Sequence, residues 1–354
     1  MTEIPTAPRP ARAVRSRAVP GVAVAGTAAY APDRGARVVD NDEVVAVIRR
    51  HGGEPLRAEW VQAMGVQRRL WTCVPGEVAD DDAATTDAML AGAIDAAVAD
   101  AGLSLGDVDL VIAATTTTSR LTTSMASVAT GHLGLRCATM ELRAGCASGA
   151  YGLATAYAQL AVGAEVVVVA AAETLSKVAP GVGPAPYLAG DGAAAVVLTR
   201  SDDTGRGLLA SWLSGDGTLS ALAGPPGALP PRAADLAADR YRLVMDRRFD
   251  EAAAPWWPVG PIAVLEQAGV PAADIRAMLM NQANRVRITE TAATVGVEPD
   301  ALVDIVGETA NAGAASMLIA LDRARRDGRA TDGATVLVAG VGGGLGAGAL
   351  ALRV

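Results

Sequence analysis

A chain of 354 residues, 51% of them hydrophobic and only 3% aromatic, has room for one large or two medium domains around a sizeable core. Its net charge of −8 argues against nucleic acid as a partner, and no apolar run is long enough to span a membrane. Three irregularly spaced cysteines (Cys73, Cys137 and Cys146) and two distant histidines suggest neither a disulfide framework nor a metal site.

Residues 1–20 carry several Arg and Pro, and no signal-peptide-like apolar segment follows. A disordered arm and a cytoplasmic chain are the expectation. His51 reads as part of an N-terminal loop, and His132 as the end of a helix before the Leu133-Gly134-Leu135 stop. Both are expected at the surface or in packing rather than in chemistry. The run Arg-Ala-Gly-Cys-Ala-Ser-Gly (143–149) is a glycine-flanked turn opening an alanine-rich helix. A cysteine placed there faces free backbone N–H groups and the positive end of the helix dipole, which favour the nucleophilic thiolate. The competing reading of Cys146 is a small buried hydrophobe. Val166–Ala172 reads as a buried strand, Leu175–Leu188 as a Gly- and Pro-rich insertion. A second insertion, at about 215–260, holds Pro-rich stretches, a charged helix-like segment (Ala233–Phe249) and Trp256-Trp257. Long insertions of this kind cap a site or an interface.

The chain is written twice. Ala101–Ala113 (AGLSLGDVDLVIA) aligns with Ala268–Met280 (AGVPAADIRAMLM), each a helix end, an Ala-Gly stop, a loop with Asp and a buried strand. At the same offset the Gly-Cys-Ala-Ser turn (145–148) lies over Ala-Gly-Ala-Ala (312–315). Farther on, the run from Gly163 parallels the run from Gly333, and GDGAAAVVLTR (190–200) parallels GLGAGALALRV (344–354). Two α/β halves, about 21–204 and 205–354, are therefore expected to stack around a pseudo-twofold axis with helices sandwiched between mainly parallel sheets.

These landmarks resemble a known family. The duplicated βαβαβαββ layout, with a cysteine opening the central helix of the first half, resembles the thiolase fold and its five-layered αβαβα arrangement. Within it the chain is similar to β-ketoacyl-acyl carrier protein synthase III over about 22–354. The residues that carry this are Gly65-Val66 with Arg68-Arg69, Ala114-Thr115-Thr116, Ala-Gly-Cys-Ala (144–147), Gly-Asp-Gly-Ala (190–193), Asn281-Gln-Ala-Asn284, Asn311 in Ala-Asn-Ala-Gly-Ala-Ala-Ser, and Gly342-Gly-Gly344.

The resemblance implies an acyl-enzyme. Cys146 would take an acyl group from coenzyme A or an acyl-carrier protein, used as substrates with no separate cofactor. A decarboxylating malonyl thioester would then attack it, while a histidine and an asparagine hold the enolate oxygen. The asparagine falls on Asn311; where the family has the histidine, this chain has Asn281. An amide can donate to an oxyanion but carries no charge near neutral pH. Trp60 matches the tryptophan that stacks on adenine, with a packing aromatic as the other reading. The phosphate-contacting arginine is Gln67 here, so Arg68 or Arg69 would have to compensate. Asn284, Gly343 and Gly344 complete the expected substrate-binding set. The loop that in the family often carries an aromatic residue before proline is Arg120-Leu121-Thr122-Thr123 here, which implies an altered acyl pocket or partner. Glu173 and Asp191, at the ends of buried strands, are expected to be structural. The family pairs as dimers, so a homodimer, or a heterodimer with a homologue, is expected, without a membrane or nucleic-acid partner. Three functions stay open: acyl-Cys transfer with an atypical second step in a specialised fatty-acyl or secondary-metabolite pathway, ordinary decarboxylating condensation, and a non-catalytic subunit.

Overall fold

The computed structural model describes residues 12–227 and 229–354. Two sheets organise it. The first runs Val22–Tyr30, Asp191–Arg200, Val166–Thr174, Leu110–Ala114, Ala138–Leu142 in spatial order. Its last three strands are mutually parallel and the other pairings antiparallel. The second sheet repeats that order from the second half: Gly207–Gly215, Gly346–Arg353, Thr335–Gly342, Ile275–Met280. The fifth position of the repeat is reduced to a single bridge between Met278 and Leu302.

Helices Ser148–Ala161 and Ser316–Arg326 lie between the sheets. Leu153, Tyr157, Leu318 and Leu321 share one buried cluster with Ile112 and Val169 of the first sheet and with Leu279 and Val338 of the second. Helix Thr86–Asp100 covers the outer face of the first sheet, and Trp256–Ala268 with Arg285–Val295 covers the second. Strands packed on both faces need continuous rather than alternating apolar residues, and Val166–Thr174 (VVVVAAAET) is buried almost throughout. Small residues let the central helices approach closely: a Cβ on Gly149 would lie 2.8 Å from the carbonyl oxygen of Ala314 on the facing element.

Three expectations change. The sheets are mixed rather than mainly parallel, because the strands at Val22–Tyr30, Asp191–Arg200, Gly207–Gly215 and Gly346–Arg353 pair antiparallel. The arm 1–20 is not wholly disordered: residues 1–11 lie outside the described residues, but Val14–Ser16 and Val19–Pro20 pair antiparallel with Gly207–Gly215. The exposed edge of the second sheet offers unpaired N–H and C=O groups, and the arm satisfies them. The segment Ala233–Phe249 is not one helix. It forms a short helix at Ala233–Ala237, then turns over 238–242, the short strand Val244–Met245, and the helix Arg248–Ala253. The break is local, for Asp239 takes a left-handed φ of +53° that ends the helical run. No helix among the described residues is long and apolar enough to cross a membrane.

Candidate active site

The nucleophile turn is closed by its own residues. Ser148 Oγ donates to Gly145 O (2.6 Å) and accepts from Ala144 N (2.7 Å). Gly145 has φ +58°, which a side chain would resist. Strand Thr335–Gly342 runs directly beneath: a Cβ on Gly342 would sit 2.2 Å from Cys146 N. The site therefore forms where the two halves meet.

Helix Ser148–Ala161 starts after Cys146, with Ala147 as its cap. The thiol keeps some accessible surface but is enclosed on nearly every side. Burial, followed by the negative charge of Glu173, pushes it up to about 12. The Asn311 amide and the residue's own N–H pull the other way and are outweighed. The direction opposes the expectation of a favoured thiolate: Cys146 lies before the cap of the helix, and desolvation with a neighbouring carboxylate favours the thiol.

Asn311 lies opposite, its Nδ2 4.0 Å from Cys146 Sγ. Its Oδ1 accepts from Gly313 N (3.0 Å) and its backbone is pinned to Leu188 O and Gly190 N. Asn281 is buried at the end of Ile275–Met280, and its Oδ1 accepts from Val341 N (3.0 Å). That bond fixes the amide orientation and leaves Nδ2 as the free donor. Asn284 caps the next helix, accepting from Arg287 N (2.8 Å). Gly343 and Gly344 form the turn between the last two strands, and Gly343 packs within 2.7 Å of where a Cβ on Gly145 would be.

Arg69 does not serve as a surface cation. It is fully buried, donating to Asn41 Oδ1 (2.6 Å), Tyr187 O (3.0 Å) and Val39 O (3.4 Å), and burial lowers it to about 10. The strand Arg68–Trp71 alternates, sending Arg69 and Trp71 inward and leaving Arg68 outside beside Glu308 at 3.5 Å. Arg69→Ala is expected to cost about 3 kcal/mol by stranding those acceptors. A lower urea midpoint with an unchanged KM for the acyl donor would bear this out. Trp60 is 60% exposed on helix Ala58–Met64, so it is not a packing aromatic. His51 is the C-cap of helix Asn41–Arg50 rather than a loop residue, and His132 bonds Asp87 at 2.8 Å. Neither contacts Cys146.

An apolar cavity of about 510 Å³ opens beside Asn311, lined by Leu175, Leu188, Leu243, Val244 and Met245. Trp60, Arg68 and Arg69 are not among its walls. Both insertions build it, docked by Leu243 N on Val178 O at 2.6 Å. The sequence points to both insertions as capping segments without naming this wall, and it does not show the ring of donors around Glu173, for which the Thr115–Thr118 run is the one signal available. Among the described residues no group of three or more His, Cys, Asp and Glu could hold a metal ion.

Comparison with known proteins gives a consistent result. Residues 140–217 match the family described as 3-oxoacyl-[acyl-carrier-protein (ACP)] synthase III, and residues 265–354 match its C-terminal part. A β-ketoacyl-[acyl-carrier-protein] synthase III of Neisseria gonorrhoeae is 32% identical, covering 93% of this chain and 98% of the relative. One from Streptomyces coelicolor is 34% identical over 83% of this chain and 88% of its own length. Among solved structures, the priming β-ketosynthase of the R1128 polyketide pathway superposes with a TM-score of 0.81 at 27% identity, covering 96% of this chain and 98% of that one. The Aquifex aeolicus 3-oxoacyl-[acyl-carrier-protein] synthase III gives 0.81 at 27%, over 94% and 100%.

Proposed function

The chain belongs to the 3-oxoacyl-[acyl-carrier-protein] synthase III family, of thiolase fold, and from that premise we propose that it loads an acyl group onto Cys146 and passes it to a second substrate. The observation that carries this reading is the placement of Cys146 Sγ 4.0 Å from the amide of Asn311, a residue that itself lines an apolar cavity of about 510 Å³.

The chemistry suits a thiol at rest. Cys146 Sγ attacks the thioester carbon, the bond to the donor sulfur breaks, and the thiol proton ends on that departing sulfur. One thioester replaces another, so no permanent base is consumed. The donor is acyl-coenzyme A or an acyl-carrier protein, and no further cofactor enters. In this reading the amide nitrogens of Asn281, whose oxygen is committed to Val341 N, and of Asn311, which faces Cys146 Sγ, donate to the oxyanion. That pair also favours a second reading, decarboxylating condensation with a malonyl thioester, in which Asn281 fills the role of the family histidine. The likeness to a priming β-ketosynthase supports a specialised acyl or polyketide pathway, and the cytoplasm is the proposed location. A homodimer, or a pairing with a homologue, is the proposed assembly; the edge strand Ala138–Leu142, partly exposed, supports it.

Intact-protein mass spectrometry after incubation with acyl-coenzyme A and acyl-carrier thioesters tests the reading. The wild type is expected to gain one acyl mass and Cys146→Ala none. An unmodified wild type with both donors, or an adduct that survives Cys146→Ala, overturns it. A β-keto product with malonyl-carrier would establish the second reading.

A further inference from the structure

Glu173 ends strand Val166–Thr174 and is fully buried. Its Oε1 accepts from Thr116 N (3.0 Å) and Ala314 N (3.3 Å). Its Oε2 accepts from Thr116 Oγ1 (2.9 Å), Thr117 N (3.1 Å) and Thr117 Oγ1 (2.6 Å). None of these five donors is a cation, which is unusual for a buried carboxylate. The two threonines continue strand Leu110–Ala114 of the first half, whereas Ala314 belongs to the turn that follows Asn311 in the second. The carboxylate therefore bridges the two halves beside the Asn311 turn.

Its contact with the Asn311 turn is close. A Cβ on Gly313 (φ +51°) would lie 3.0 Å from Glu173 Cγ and Oε1. Gly313 N in turn orients the Asn311 amide (3.0 Å), and that amide faces Cys146 Sγ. Glu173, the 313–314 backbone, Asn311 and Cys146 thus form one continuous chain of contacts. Gly342 of the underlying strand and Asn311 pack on Cys146, and the negative charge of Glu173 acts on its thiol after burial.

We propose that Glu173 is the positioning residue of the nucleophile site: it clamps the 311–314 turn so that the Asn311 amide meets Cys146, and it sets a carboxylate, where a cation would make a thiolate, beside that turn. This rests on Cys146 being the acyl carrier. The consequence is a nucleophile that rests as a thiol, resistant to oxidation and alkylation, and that gives up its proton to the departing sulfur only during transfer. Burial, the larger effect, raises the Glu173 carboxyl above the usual carboxylate range, and the bonds from Thr117, Thr116 and Ala314 oppose that rise.

Alkylation of the full chain with iodoacetamide, followed by intact mass across pH 7–11 with Cys146→Ala as background, reads the charge without any acyl donor. In the wild type the rate on Cys146 is expected to climb about tenfold per pH unit, as for a thiol that titrates above that range. Glu173→Gln keeps the clamp: Oε1 still accepts from Thr116 N and Ala314 N, both threonine hydroxyls can accept, and Thr117 N has Thr115 Oγ1 at 3.2 Å. It removes the charge, so alkylation at pH 8.5 is expected to quicken about tenfold, a shift of about one unit. A profile superimposable on wild type overturns the proposal. Glu173→Ala removes the clamp as well, and its acyl-adduct formation is expected to fall at least tenfold while alkylation quickens. Adduct formation at the wild-type rate overturns the positioning role. Because alkylation needs no thioester, an acyl-transfer reading that failed would leave the Glu173→Gln shift standing, and the two failures are told apart.

Discussion

Asn281→Ala is expected to lower condensation or acyl-transfer turnover by about 10²–10³-fold, the effect of losing one oxyanion donor, with KM for the acyl donor little changed. The side chain is 1% exposed, and its oxygen is committed to Val341 N at 3.0 Å, so the amide nitrogen is the group left to face substrate. Steady-state kinetics of the pure variant would show it, and wild-type turnover would remove Asn281 from the mechanism. Asn281→His is the informative companion. In place of Oδ1 the imidazole would present Nδ1 to the Val341 N–H, which forces the proton onto Nε2. A neutral ring then donates from Nε2 much as the amide does, and turnover is expected within about tenfold of wild type. It adds no cation, so the alkylation profile of Cys146 is expected to stay put. An imidazolium would instead pull the thiol down by one to three units, and a profile displaced that far would show that Val341 does not govern the tautomer. Asparagine at this position therefore differs from histidine less in hydrogen bonding than in the proton it can never carry.

The outline of the fold could be read from the sequence because its signals are local. Ala-Gly stops, short loops with Asp and buried runs recur in order, and strands Leu110–Ala114 and Ile275–Met280 occupy matching places in their sheets. The turn at 145–148 and the asparagine at 311 were likewise visible, since both lie in short glycine-rich motifs. What failed depended on contacts between distant segments. Arg68 and Arg69 look alike in sequence, and only the pairing of their strand with Arg37–Asp40 settles which one is buried. The state of the Cys146 thiol is likewise not legible, because the helix terminus is adjacent in sequence whereas the burial that raises the thiol, and after it the charge of Glu173, come from distant segments. The cavity wall at 243–245 exists only because one insertion docks on the other. The N-terminal arm was misread for a related reason: its composition favours disorder, but a free sheet edge repays the ordering of a few residues.

Gly342→Ala is expected to be as damaging as any change to the donors, though it removes no functional group. The added Cβ would lie 2.2 Å from Cys146 N and 2.7 Å from Gly145 C, both backbone atoms, so no side chain can swing away to make room. Either strand Thr335–Gly342 or the nucleophile turn must move by about 1 Å. The strand is held by neighbours on both sides, Gly346–Arg353 and Ile275–Met280, and resists. The turn is held chiefly by Ser148 Oγ and one left-handed glycine, so it yields first. A displacement of that size at a reacting atom costs about 10²-fold in rate, and the strain is expected to cost about 1–3 kcal/mol of stability. Acyl loading followed by mass spectrometry, alongside urea unfolding, separates the two effects. A variant that loads at the wild-type rate while folded would mean that the strand moves and the turn does not. The pairing of glycines on both sides of this contact, Gly145 above and Gly342 below, follows from the same requirement: the nucleophile of one half has to rest on the bare backbone of the other.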